Sequence, residues 1–128
     1  MAGPPKWQRF ERLAADIQRD LAPHGAVVTQ NERVLGSITR VLRQIDVSVR
    51  VPTEVGTMLL VVECKDLNAN VDVKDVEAFI GMLADVEANQ GIMIASGGFT
   101  PAAQRRAAAA DVQLWTAVDL ESADWRHP

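Results

Sequence analysis

Arg43-Gln44-Ile45-Asp46-Val47-Ser48-Val49-Arg50-Val51, then Pro52-Thr53-Glu54-Val55-Gly56, then Thr57-Met58-Leu59-Leu60-Val61-Val62-Glu63-Cys64-Lys65-Asp66: the fold is decided in this stretch. Two runs rich in β-branched and apolar residues flank a Pro/Gly turn, which is the pattern of a β-hairpin. Strand side chains alternate in direction with period two. On the second run Glu63 and Lys65 therefore share a face, opposite Met58, Leu60, Val62 and Cys64. On the first run Gln44, Asp46, Ser48 and Arg50 share a face, opposite Ile45, Val47, Val49 and Val51. A turn centred between Glu54 and Val55 pairs residues whose numbers sum to 109, so Asp46 meets Glu63.

Two carboxylates directly opposite on a sheet repel and destabilise it. A cation between them removes the repulsion. Hard divalent ions such as Mg2+ take carboxylate and carbonyl oxygens and keep several waters. Lys65, two residues after Glu63 on the same face, is placed to hold or activate one of those waters. The competing reading is a surface salt-bridge ladder. It fits poorly with Met58 to Val62, a continuous apolar run that predicts a central strand buried on both faces. Charges at the end of such a strand call for pairing or for a metal.

Working outward, 128 residues with 48% hydrophobic content predict a single globular domain over 1–128, with a core of about 6–120 and loose tails. No apolar run approaches ~20 residues, so no transmembrane helix is expected. The start lacks an apolar signal-peptide core, and the lone Cys64 excludes an internal disulfide. Both point to a reducing, cytoplasmic setting without a membrane partner. The net charge of −4 argues against nucleic-acid binding through bulk electrostatics. Basic residues nevertheless cluster locally, since Arg33, Arg40, Arg43 and Arg50 all precede the second hairpin strand.

Apolar residues at helical spacing (Trp7, Phe10, Leu13 or Ala14, Ile17, Leu21) predict a helix from about Lys6 to Leu21, ended by Pro23 and Gly25. Glu11 sits beside that stripe, one turn after Trp7, as a solvated helix acid or as an acid at the rim of a pocket. Ala26–Gln30 reads as a short strand and Asn31–Leu42 as a loop into the hairpin, whose strands fall at about 43–51 and 57–64. Asp72 is placed to cap a helix over about 73–88, with Val76, Phe79, Ile80, Leu83 and Val86 as its stripe. Ile92–Ala95 reads as a buried strand. Thr100 caps a helix with Pro101 at its first position, the favoured place for proline, and that helix ends near Ala110. Val112–Trp115 is a last short strand, and the tail from Glu121 is polar. Strand–helix–strand crossovers in the second half imply parallel pairing, whereas the first half meanders.

Other chemistry is weaker. Ser96-Gly97-Gly98-Phe99-Thr100-Pro101 lacks the lysine of a nucleotide-binding loop and reads as a structural strand-to-helix turn. His24 and His127 have no partner at metal-ligand spacing, so zinc is unsupported. Cys64 reads as a small core hydrophobe, and Ser37 has no base partner as a nucleophile.

The acid on one strand and the Glu-x-Lys on the next resemble the PD-(D/E)xK nuclease superfamily. Arg43-Gln44-Ile45-Asp46-Val47, Val62-Glu63-Cys64-Lys65 and Gly98-Phe99-Thr100 before an alanine-rich helix resemble its Mrr-like branch, the type IV restriction endonucleases. The resemblance runs from about residue 7 to 120. It implies an α/β fold, a restriction-endonuclease-like three-layer sandwich with a mixed central sheet in the order αβββαβαβ. It also implies a Mg2+-dependent endonuclease that hydrolyses DNA phosphodiesters, with Mn2+ as a substitute metal. Asp46, Glu63 and the Cys64 backbone carbonyl would bind the metal, and Lys65 would position or deprotonate the attacking water. Glu11 matches an additional acid on the first helix, Gln44 would support the site, and Arg40, Arg43 and Ser37 are candidate DNA contacts. The chain shows no recognisable DNA-reading domain and is acidic overall. A homodimer, a partner or a separate domain would then supply recognition. A catalytically inactive interaction module and a Holliday-junction-resolvase-like nuclease are the alternatives on the same fold.

Overall fold

In the computed structural model of the chain, residues 6–65 and 69–116 are described, apart from the side chains of Lys6 and Trp7. They form α1 (Lys6–Leu21), β1 (Val27–Leu35), β2 (Leu42–Thr53), β3 (Gly56–Lys65), α2 (Val73–Asp85), β4 (Gln90–Ala95), α3 (Pro101–Ala109) and β5 (Gln113–Thr116). This is the order read from the sequence. The expectations for Trp7, for Asp66 to Asn68 and for the tail from Glu121, His127 included, lie outside the described residues.

The strands form one sheet in the order β1-β2-β3-β4-β5. The first two pairings are antiparallel and the last two parallel. β2 and β3 pair from Val47↔Val62 to Thr53↔Gly56, so partners sum to 109 as the turn geometry predicts. The loop closes on Gly56, whose φ of 135° is open to glycine but costly for other residues. Register is pinned by burial. A one-residue slip of β3 would move the carboxylate of Glu63 into the slot filled by the fully buried Val62.

Two apolar layers flank the sheet. On one side α1 packs Ala14, Ala15 and Ile17 against Val47, Val62, Ile92 and Ile94. The two alanines let helix and sheet approach closely. On the other side α2 and α3 pack Val76, Phe79, Ala103 and Ala107 against Val61, Met93 and Ala95. Both crossovers place their helices on this face, as right-handed connections between adjacent parallel strands require. Gly91 has no side chain because Leu83 and Phe79 occupy the space a Cβ would need.

Four expectations need correction. β1 runs to Leu35, so Asn31 to Leu35 is strand and not loop. Asn31 adopts a φ of 55° within it, and one left-handed residue interrupts the alternation that marks a strand without ending the pairing. α2 stops at Asp85, three residues early, because Glu87 takes a left-handed φ of 58° and Asp85 is used to bind another loop. β3 is buried on both faces only at Val61 and Val62. Met58 is exposed, and Leu59 and Leu60 are half-buried, because a cavity stands open between them and the end of α1. Leu21, expected in the α1 stripe, is likewise largely exposed, because it borders an open cavity between the end of α1 and Val49, Met58 and Leu60 of the sheet.

The paired strands β1 and β2 also switch faces together. Val47 belongs to the α1 layer, yet Ile45 belongs to the α2/α3 layer, although strict alternation puts them on one face. Val28 and Val34 on β1 divide in the same way. The switch falls where Asn31 faces Asp46. The β1–β2 ladder is intact at Gln30↔Val47 and at Glu32↔Ile45 and skips the pair between them.

Candidate active site

Asp46 therefore lies at a break in the sheet. It has no ladder partner on β1, and the β2–β3 ladder ends one residue away, at Val47↔Val62. The register continues to place it opposite Glu63. Freed from the ladder, its Oδ2 accepts a hydrogen bond of 2.8 Å from the Cys64 backbone N–H, across the gap where a ladder bond would have run. That bond fixes the carboxylate beside Glu63-Cys64-Lys65. Its other oxygen takes no hydrogen bond among the described residues.

Four of the expected residues come together here. Glu11, one turn into α1 and only 8% exposed, is close enough to Asp46 to feel its charge. Burial, with Asp46 beside it, pushes the Glu11 carboxyl up from 4.5 to about 7. Burial raises Asp46 as well, against the opposing pull of the Cys64 N–H and the Lys65 charge. Burial raises Glu63, and Asp46 and Asp75 add to it, while Lys65 works the other way. The Lys65 ammonium is 3.9 Å from Glu63 Oε2, a loose contact that leaves both groups free to engage something else. Cys64 is held against the α1 layer, and burial drives its thiol further from ionisation, so it is no nucleophile.

The remaining candidates are placed differently. Gln44 is exposed and paired with Arg33. Arg43 donates from Nε to Asp85 Oδ2 at 2.8 Å, and Ser37 donates from its hydroxyl to the Asp85 carbonyl at 3.1 Å, so both are engaged within the fold. Arg40 is exposed at a left-handed φ of 61°. Two residues went unnoticed in the sequence. Asn31 could have been suspected, because asparagine is among the few residues that tolerate the left-handed region. Asp85 looked like one more helix-end acid. In the structure it is buried and takes bonds from Ile38 N, Thr39 N, Thr39 Oγ1 and Arg43 Nε. The Thr39 hydroxyl and then Arg43 hold its carboxyl well below the usual range.

The acids also fit a hard cation. Asp46 and Glu63 are desolvated, of like charge and beside peptide carbonyls, which is the all-oxygen donor chemistry that Mg2+ takes. Among the described residues no group of three or more His, Cys, Asp or Glu side chains is placed to hold a metal ion, so the two acids would need backbone carbonyls and waters to complete the shell.

A family model described as restriction endonuclease (Mrr_cat) matches residues 5–123. The chain belongs to this Mrr-type restriction endonuclease family. Solved structures carry the same fold. A protein of unknown function, AF1548, superposes with a TM-score of 0.66 at 21% identity, covering 93% of this chain and 59% of that one. The DNA modification-dependent restriction endonuclease AspBHI gives 0.56 at 17% identity over 94% of this chain and 35% of its own. MspJI restriction endonuclease, in complex with a 27-mer oligonucleotide, gives 0.59 at 16% identity over 90% and 27%. This Mrr-type chain thus corresponds to about three-fifths of the first, about a third of the second and about a quarter of the third. No curated protein sequence matches it. Among the described residues no helix is long and apolar enough to cross a membrane.

Proposed function

We propose that the chain is a Mg2+-dependent endonuclease that hydrolyses DNA phosphodiester bonds. The observation that carries this reading is the break at Asp46, which sets two half-buried carboxylates of like charge beside Lys65. Asp46, Glu63 and the Cys64 carbonyl would hold the metal. A bound Mg2+ supplies Lewis-acid polarisation of a phosphoryl oxygen and a nucleophilic water at neutral pH.

The chain's own groups do the rest. The Cys64 N–H orients the Asp46 carboxylate and fixes which oxygen stays available. The Lys65 ammonium lies beside Glu63, where it can hold the attacking water or meet charge developing on a phosphate oxygen. Glu11, titrating near neutrality, is suited to holding a proton at the rim of the site or giving it up there.

The test is plasmid and oligonucleotide cleavage with Mg2+ or Mn2+, by wild type, Asp46→Ala and Lys65→Ala. Modified duplexes and four-way junctions are included, since AspBHI acts in dependence on DNA modification. Each variant is expected to lose at least about a hundredfold in rate. Equal cutting by all three would remove the site from the chemistry. No cutting of any DNA would favour an inactive interaction module of the same fold.

A further inference from the structure

The turn joining β1 to β2 is built for something that folding does not require. From Arg33 to Ile45 the chain carries three arginines and no acid, in a protein of net charge −4. Leu35, Ile38, Val41 and Leu42 are all exposed among the described residues, Ile38 by 72%. The turn is nevertheless held firmly. Ile38 N and Thr39 N donate to one Asp85 oxygen, while Thr39 Oγ1 and Arg43 Nε donate to the other. Gly36 is needed because a Cβ there would overlap the Asp85 carboxylate. Arg40 sits at a φ of 61°, where glycine or asparagine is the low-cost choice, so the arginine is kept there for its side chain and not for its backbone.

A firmly held, exposed apolar tip flanked by arginines, of which Arg33 and Arg40 make no ion pair among the described residues, matches the groove of a nucleic acid. Apolar wedges inserted at a base step, with arginines on the phosphates, are one way proteins hold and bend DNA. A second copy of the chain is a poorer occupant, because a two-fold contact would bring the same arginines against each other. We propose that this turn is a DNA-contacting wedge, with Ile38 pressed against a base step in the minor groove and Arg33 and Arg40 on the flanking phosphates. Arg43 serves as the anchor and is not itself a contact. The wedge leads directly into β2, which carries Asp46 three residues after Arg43. The proposal rests on the nuclease reading for its substrate and not for its test.

The test uses the full chain with Lys65→Ala, so that DNA stays intact. Duplexes carry 2-aminopurine, which brightens on unstacking, at TA and CA steps, the steps most easily opened. The unaltered turn is expected to raise the fluorescence on binding. Ile38→Ala should lose the rise while still binding, and Ile38→Met should restore it. Arg40→Gln should weaken binding on every sequence and lower the salt slope by about one. Equal brightening with Ile38→Ala overturns the wedge, and so does absence of DNA binding. It is also overturned if Ile38→Asp converts a dimer to a monomer in sedimentation. A wild-type chain that brightens DNA and cuts none retains the wedge and loses the nuclease reading.

Discussion

Glu11 holds its carboxyl in a place where ionisation is costly, and that cost is legible as pH-dependent stability. Its value in the folded protein is about 7 against 4.5 ordinarily, so between these pH values the folded state binds more protons than the unfolded one. Stability from this group is therefore complete below about pH 4.5 and falls as pH rises through 7. Glu11→Gln should flatten that slope and stabilise the metal-free protein at pH 8 by about 1 kcal/mol, allowing for solvent screening. Urea denaturation of both proteins at pH 5 and pH 8 measures it, and parallel slopes for the two would contradict the assignment. In the sequence Glu11 stood beside an apolar stripe and read equally as a surface acid. Its burial in the folded chain and the approach of Asp46, which belongs to another element, distinguish the two. Glu63 and Lys65 were more legible, because their charges end a strand whose middle is fully apolar.

At the scale of elements, the β1–β2 hairpin was half legible. Its β2–β3 neighbour could be registered from the turn alone, since two residues between paired strands leave little freedom. The face switch at Asn31 and Asp46 could not, because period-two alternation assumes an unbroken ladder. Asn31→Gly keeps the left-handed conformation available and should retain cleavage within a few-fold. Asn31→Val must either strain or straighten the strand, at about 1–2 kcal/mol of stability, and should depress cleavage more than its stability loss explains. Chemical denaturation and cleavage rates measured together check both. Gly36→Ala forces a methyl group into the Asp85 carboxylate, an overpacking that costs roughly 1–3 kcal/mol. Its local signature is faster amide exchange at Ile38 and Thr39, whose N–H groups lose Asp85 as acceptor.

For the whole molecule, three layers serve one end of β3. α1 supplies Glu11, the sheet supplies Asp46 and the Glu63–Lys65 pair, and α2 brings Asp75 near enough to add to the negative potential on Glu63. Such an acid cluster is a cost to the metal-free fold. A cation that binds there should return the cost as stability. Mn2+ at about a hundred times its dissociation constant should add about 2.7 kcal/mol. A thermal melt should then move upward with Mn2+, return with EDTA, and respond far less in Asp46→Asn. An equal shift in that variant would place the metal elsewhere.

The sequence by itself determined the element order, the β2–β3 register and the identity of the hairpin acids. Each follows from local rules: side-chain period, cap and turn chemistry, and the loop length of a hairpin. The tertiary structure decided which acids are desolvated together, which arginine is tied to Asp85, and where the ladder breaks. Those depend on residues far apart in the chain, Glu11 with Asp46 and Arg43 with Asp85. Burial and charge coupling act through space, and no spacing along the chain encodes them.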